Sequence, residues 1–194
     1  YKRQIIGLGD EEVTINESIS VAQFNNLAAY TTGAITATIF ASNMATLAGI
    51  NETGNSLTIT ITDLSISAAD LNTIDAKTTV AVTATVVTTI IGTAADINTV
   101  YTAHAAGKIT GLGNEAVTIT DTILSSSVLN GLNGFTTGVI NAATITTLTG
   151  TAADVNTSYS AYNAGTITGL GNEAVTISDT SLSSIVLNLS LIHI

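Results

Sequence analysis

The sequence predicts an α/β repeat solenoid, in which short N-capped helices alternate with parallel β-strands. Three observations carry that expectation. Ile109–Asp121 reads ITGLGNEAVTITD and Ile167–Asp179 reads ITGLGNEAVTISD, identical except for Thr120 against Ser178. Hydroxyl residues stand three places ahead of carboxylates where helical spacing begins. Between those segments the apolar period drops to two, as on a strand with one buried face. A fixed period of this kind marks units too small to bury a core alone, which must stack. An all-β solenoid or an array of β-sandwich repeats would carry the same repetition with different connections.

The period is the offset that carries Ile109 onto Ile167. The same offset carries TAADIN at Thr93 onto TAADVN at Thr151, and Asp63 onto Asp121. An earlier copy begins with GLGDEEVTI at Gly7 and passes Thr31-Thr32-Gly33, but lacks TAAD, so the register near Gly49 stays open. The organisation reads as a short first repeat over 5–49, full repeats over 50–108 and 109–166, and a truncated one over 167–188. The ends fall outside the pattern. Residues 189–194 (LSLIHI) match a translation of the transposon mosaic end used in preparing DNA libraries, and residues 1–4 (YKRQ) match its reverse complement. The natural insert is therefore expected over 5–188.

Taken along the chain, a helix is expected near 19–29 and a strand over Leu57–Thr62, where branched apolar and hydroxyl residues alternate. Ser67-Ala-Ala-Asp70 then opens a helix over 68–76, with Leu71 and Ile74 facing inward. Val80–Ile91 reads as strand. Thr93-Ala-Ala-Asp96 caps a helix over 94–105 that Gly107 ends. Val117–Thr120, a helix over 126–133 ended by Gly134, and a strand over Val139–Leu148 follow. Thr151-Ala-Ala-Asp154 repeats the cap for 152–163, Gly165 ends that helix, and Val175–Ser178 closes the series. Apolar-Asn pairs at Leu71-Asn72, Ile97-Asn98, Leu129-Asn130 and Val155-Asn156 divide each period into a shorter and a longer coil.

Composition narrows the chemistry. Charged residues are only 9% of the chain, with 14 Asp and Glu against 4 Lys and Arg, and Cys, Pro and Trp are absent. This charge balance argues against a nucleic-acid partner. The lack of Cys removes thiolate chemistry, and no apolar run reaches the roughly 18 residues of a membrane span. His104 is the one histidine outside the terminal hexapeptide, and the position a period later is Tyr162, so a helix-end role fits it better than general-base catalysis. No enzymatic activity and no catalytic residue are expected. Elements that recur in every unit, such as Glu115 with Glu173, read as scaffold.

Two binding sites are considered. Gly111-Leu-Gly-Asn114-Glu115 and its copy with Asn172 and Glu173 partly match the calcium nonapeptide of RTX proteins, since hard cations take several oxygen ligands. Thr110 stands where the motif has its first Gly and Glu115 where it has Asp, so a Gly-rich turn feeding a strand accounts for the segment more directly. No cofactor other than this calcium is considered. The second candidate is a hydroxyl array. The 36 threonines include T-x-T triplets at Thr58 and Thr60, Thr118 and Thr120, and Thr144 and Thr146. On a flat parallel sheet such rows resemble those of ice-binding solenoids, although Thr also suits any wet strand face.

SAADLNTID (Ser67–Asp75), TTIIGTAADINTVY (Thr88–Tyr101) and ITGLGNEAVTITDT (Ile109–Thr122) resemble repeats of very long, Thr- and Ala-rich secreted or surface proteins of marine bacteria, including cyanobacteria. The resemblance covers nearly all of 5–188. It implies an adhesin-like structural segment, extracellular or at the cell surface. The implied partners are neighbouring repeats of a longer chain and cell-surface glycans or other surfaces, with neither nucleic acid nor membrane insertion.

Overall fold

A computed structural model describes residues 8–181 of the chain. The two adapter-like ends, residues 5–7 of the first repeat and residues 182–188 of the last lie outside the described residues. The elements in order are β1 (Val13–Ile19), α1 (Val21–Ala28), β2 (Ile35–Ile39), α2 (Met44–Leu47), β3 (Ser56–Thr58), β4 (Ser65–Ser67), α3 (Ala68–Asp75), β5 (Val82–Thr83) and β6 (Thr89–Gly92). They continue with α4 (Ala94–Ala105), β7 (Ile109–Thr110), β8 (Ala116–Ile119), β9 (Ile123–Ser125), α5 (Ser126–Asn133), β10 (Ile140–Asn141), β11 (Thr147–Gly150), α6 (Ala152–Asn163), β12 (Ile167–Thr168) and β13 (Ala174–Ile177). This is an α/β fold of small, all-parallel sheets, and the helices remove both all-β alternatives.

The chain packs as two compact units, one from residues up to 87 together with 102–112, the other from 88–101 together with 113 onward. In the first unit β1, β2 and β3 form one sheet and β5 pairs β7. Thr60 also bridges Thr83. In the second, β6, β8, β10 and β12 are hydrogen-bonded in that order, and β9, β11 and β13 form a separate sheet. Val117 of β8 faces Ile90 on one side and Ile140 on the other, and the step back to Ile90 is the longer of the two. These strand-to-strand steps replace the coil lengths expected from the Asn pairs. Together they fall short of the period by the stretch that separates Ile109 from Val117. Ile109 pairs with Val82 of β5, whereas Val117 pairs with β6 and β10.

The caps explain why the helices start where they do. Ser20, Asn43, Ser67, Thr93 and Thr151 each accept from the backbone N–H three residues on. Gln23 completes a full capping box by accepting a bond from the Ser20 backbone N–H. Asp96 and Asp154 are one methylene shorter than Glu and instead accept from the Thr93 and Thr151 hydroxyls, both at 2.7 Å. An acid from a later segment also reaches the start of three helices, α2, α4 and α6. Asp63 accepts from the Met44 N–H, Asp121 from Ala94 and Asp179 from Ala152, at 2.6, 2.7 and 2.7 Å. A carboxylate there meets the positive end of the helix dipole.

Two expectations change. Val80–Ile91 and Val139–Leu148 are not continuous strands: each breaks at a tight corner, where Val87 N–H bonds to Ala84 C=O and Ile145 N–H to Ala142 C=O. The corner alanines are fully buried, and a larger side chain would hold the turn open. Gly134 ends α5 as expected, though in a right-handed conformation with φ −84°, whereas Gly107 and Gly165 use φ 75° and 79°. Helix α2 and strands β1, β2, β4, β7, β9 and β12 are short or irregular enough to escape periodicity.

In each unit the buried side chains come from the strands and the inner helix faces, Ile35, Leu57, Leu71 and Ile74 in the first and Ile90, Ile97, Val100, Val117, Leu129, Ile140 and Leu148 in the second. Among the described residues no helix is long and apolar enough to cross a membrane.

Candidate functional site

Glu115 is the most deeply buried carboxylate among the described residues, 1% exposed. The turn before β8 aims two backbone donors at it: Gly113 N–H at 2.8 Å and Asn114 N–H at 3.1 Å both reach Oε2. Oε1 accepts from the Tyr101 hydroxyl, brought across by α4. Burial first, and then the hydrogen bond and negative charge of Glu115, push the Tyr101 phenol well above its ordinary range. The Tyr101 ring stacks on Phe135, with centroids 5.3 Å apart. On the segment leading to the next strand, the Thr136 hydroxyl donates to the Glu115 carbonyl at 2.7 Å and accepts from Gly138 N–H. A side chain at Gly138 would collide with that carbonyl, so the close approach requires glycine.

The arrangement returns a period later. Glu173 accepts from Gly171 N–H, Asn172 N–H and the Tyr159 hydroxyl. Tyr159 is likewise pushed upward, by burial and then by Glu173. Both carboxylates are therefore turned inward and occupied by donors. Asn114 and Asn172, the other calcium candidates, lie on the turns and give their backbone N–H groups to these carboxylates. Among the described residues no three His, Asp or Glu side chains are gathered as metal ligands. The geometry is that of a buried anion satisfied by a backbone nest and a phenol, which locks the turn.

The threonine candidates are scattered. Thr144 and Thr146 lie at the corner between β10 and β11 rather than on a strand. Their hydroxyls donate to Ile119 C=O at 2.6 Å and Thr122 C=O at 3.0 Å. Thr118 stands in register with Ile91, Asn141 and, through Asn141, Thr168, which breaks the hydroxyl row. Thr120 is exposed just past β8. Thr60 shares a row with Thr83 and Thr110. Thr58 belongs to an array that the triplets do not reveal in full. On β1, β2 and β3, Thr14, Thr36 and Ser56 form one row and Ser18, Thr38 and Thr58 another, with Ile35, Ala37, Ile39 and Leu57 buried beneath. The register of β1 slips between Thr14 and Ser18, so its part of the array is displaced. His104 bonds through Nδ1 to Ile109 C=O at 2.9 Å, a link at the helix end.

Sequence reasoning misses the Tyr–Glu lock because its members lie on different elements. A usable signal exists: Tyr101 precedes Glu115 by 14 positions, and Tyr159 precedes Glu173 by the same distance. Comparison with family models, curated proteins and solved structures finds no match for this chain.

Proposed function

We propose that the chain is a structural and adhesive repeat segment of a long extracellular or cell-surface protein, built as a solenoid whose coils are stabilised mainly by their neighbours. The observation that carries this is the burial of one tetrapeptide in two settings. Ala116–Ile119 (AVTI) has strands on both sides, and its Val117 and Ile119 are fully buried. Ala174–Ile177, the same four residues, has only β11 beside it among the described residues and is part-exposed. Coils that bury each other in this way suit a segment that supplies reach, with multivalent contact along its surface. The resemblance to adhesin-like repeats and the recurrence of the Tyr–Glu lock in successive periods, as scaffold recurs, support a non-enzymatic role.

The test is a length series of tandem units, each one full period long. Unfolding free energy should rise with each added unit, and the long dimension from small-angle scattering should grow linearly. Units that melt independently, with no gain from a neighbour, would overturn the solenoid.

A second reading, ordering of water by hydroxyls, is favoured by the two rows on β1–β3. Parallel strands space such rows at about 4.8 Å, with roughly 6.6 Å between alternate residues. Thermal hysteresis lost in Thr36→Val and Thr38→Val would support it, and its absence from the parent chain would end it.

A further inference from the structure

The geometry points to two clefts at corresponding turns of the first unit, each carrying one carboxylate on a different wall, as successive subsites for one neutral, hydroxyl-rich polysaccharide chain. This rests on the adhesive reading and gives it a partner. The first cleft, about 430 Å³, is lined by Thr31, Thr32, Gly33, Glu52, Thr53 and Gly54. The second, about 530 Å³, is lined by Asp75, Thr78, Thr79, Val80, Gly107 and Lys108. Each opens where the chain has left a helix, α1 or α3, and a Thr-Thr pair leads into the next strand. In both, the opposite wall is the glycine turn of the following coil, Gly54 or Gly107, with φ 78° and 75°.

What the clefts leave free decides what they can hold. The first hydroxyl of each Thr pair is spent on the preceding coil, Thr31 on Glu11 C=O and Thr78 on Leu57 C=O, both at 2.7 Å. Thr32 and Thr79 donate to Gly9 C=O and Asn55 C=O. Each cleft has one carboxylate with no hydrogen-bond donor among the described residues, the exposed Glu52 on the glycine-turn wall of the first and the half-buried Asp75 at the helix end of the second. Lys108 faces Asp75 as a charge, and burial outweighs it, raising the Asp75 carboxyl above its ordinary range. A ligand that brings donors can pair with both. A chain with formal charge −10 repels anionic polymers, so uncharged hydroxyls fit.

The repetition selects a polymer. The coil of Thr31 is followed by that of Asn55 and then that of Thr78, linked by the Asn55 side chain to Ile35 N–H and by the Asn55–Thr78 bridge. Two strand spacings separate the clefts, about 9.5 Å, comparable to the length of a disaccharide. Tyr30, immediately before Thr31, is 52% exposed and offers a ring face for the apolar side of a sugar. At the matching place in the second unit, Asn133 replaces Asp75 before Thr136-Thr137-Gly138, which makes that turn an internal control without a carboxylate.

The test is titration of the 15N-labelled chain with cellohexaose, xylohexaose and mannohexaose, read by amide shifts and calorimetry. At least one hexasaccharide should shift Thr32, Thr53, Thr79 and Lys108 while leaving Thr137 in place. It should bind at least about tenfold more tightly than its disaccharide, because both subsites engage. The double variant Glu52→Ala, Asp75→Ala should lose about tenfold or more in affinity while keeping a cooperative melt. Absence of cleft shifts with all three at millimolar concentration, equal affinity for hexamer and dimer, or binding of a chitosan hexamer alone would overturn the proposal. Such a failure leaves the tandem length series unaffected, and failure of the length series leaves cleft binding unaffected.

Discussion

Ala116–Ile119 and Ala174–Ile177 are the same tetrapeptide in the same unit, yet only the first is buried like a core strand. Their local contexts match: the same glycine turn, the same Glu held by two backbone donors, the same tyrosine 14 positions upstream. The difference is the strand on the far side. Strand β8 lies between β6 and β10, whereas β13 has only β11 among the described residues. Sequence thus builds the turn and the strand locally, while burial is donated by the strand on the far side.

The sharpest way to break this comparison is to remove the two carboxylates. Glu115→Ala strands the buried Tyr101 phenol, takes the acceptor from the part-buried Gly113 and Asn114 N–H groups, and should cost about 3–5 kcal/mol in urea unfolding. Glu173→Ala, where water can replace the lost acceptor, should cost clearly less. Equal losses would mean that the neighbouring coil contributes little to the lock. Alkali probes the same pairs. The folded phenols of Tyr101 and Tyr159 are raised, so their contribution is fully present below about pH 10, the unfolded value. It is lost as pH rises through the folded values.

Next in size, Ile119→Ala should cost about 2–4 kcal/mol by opening a cavity, and Ile177→Ala under about 1. Thermal melts of the two variants would measure the far strand directly. Asp121→Ala removes the acceptor of the first α4 N–H and should cost about 1 kcal/mol, with faster amide exchange at Ala94.

The smallest effect should be a gain. Asp75 has a raised folded pKa, so relative to the unfolded chain it stabilises below about pH 3.9, and that contribution disappears as pH rises through the folded value. Its charge is a net cost at neutral pH, and Asp75→Asn should raise the melting temperature slightly at pH 7 and not at pH 3. A neutral-pH loss would show Lys108 outweighing burial.

Helices are the most legible part of the sequence. Ser67, Thr93 and Thr151 announce their own caps, and the expected helices over 94–105, 126–133 and 152–163 coincide with α4, α5 and α6. Those signals are local. The corners at Ala84 and Ala142 are not legible, because alanine between branched residues looks like strand until the inner face runs out of room. Coil length escapes for a related reason. The Asn pairs mark helices, whereas the coil step is fixed by strand register, and Val117 alone reaches further back to Ile90 than forward to Ile140. For the calcium candidates, spacing locates the turn, but the inward aim of Glu115 depends on a tyrosine from a different element.

The offset between Ile109 and Val117 has a consequence for how such a chain survives crowding with copies of itself. Parallel strands stacked in register without end would offer a growing edge like that of a fibril, able to recruit any similar segment. In the second unit the hydrogen-bonded row through β6, β8, β10 and β12 is instead distinct from the row through β9, β11 and β13. Ladders laid like offset courses of brick give a foreign strand only a few rungs to copy. In a chain this repetitive and only 9% charged, the expected brake on templated pairing is therefore register rather than charged gatekeepers.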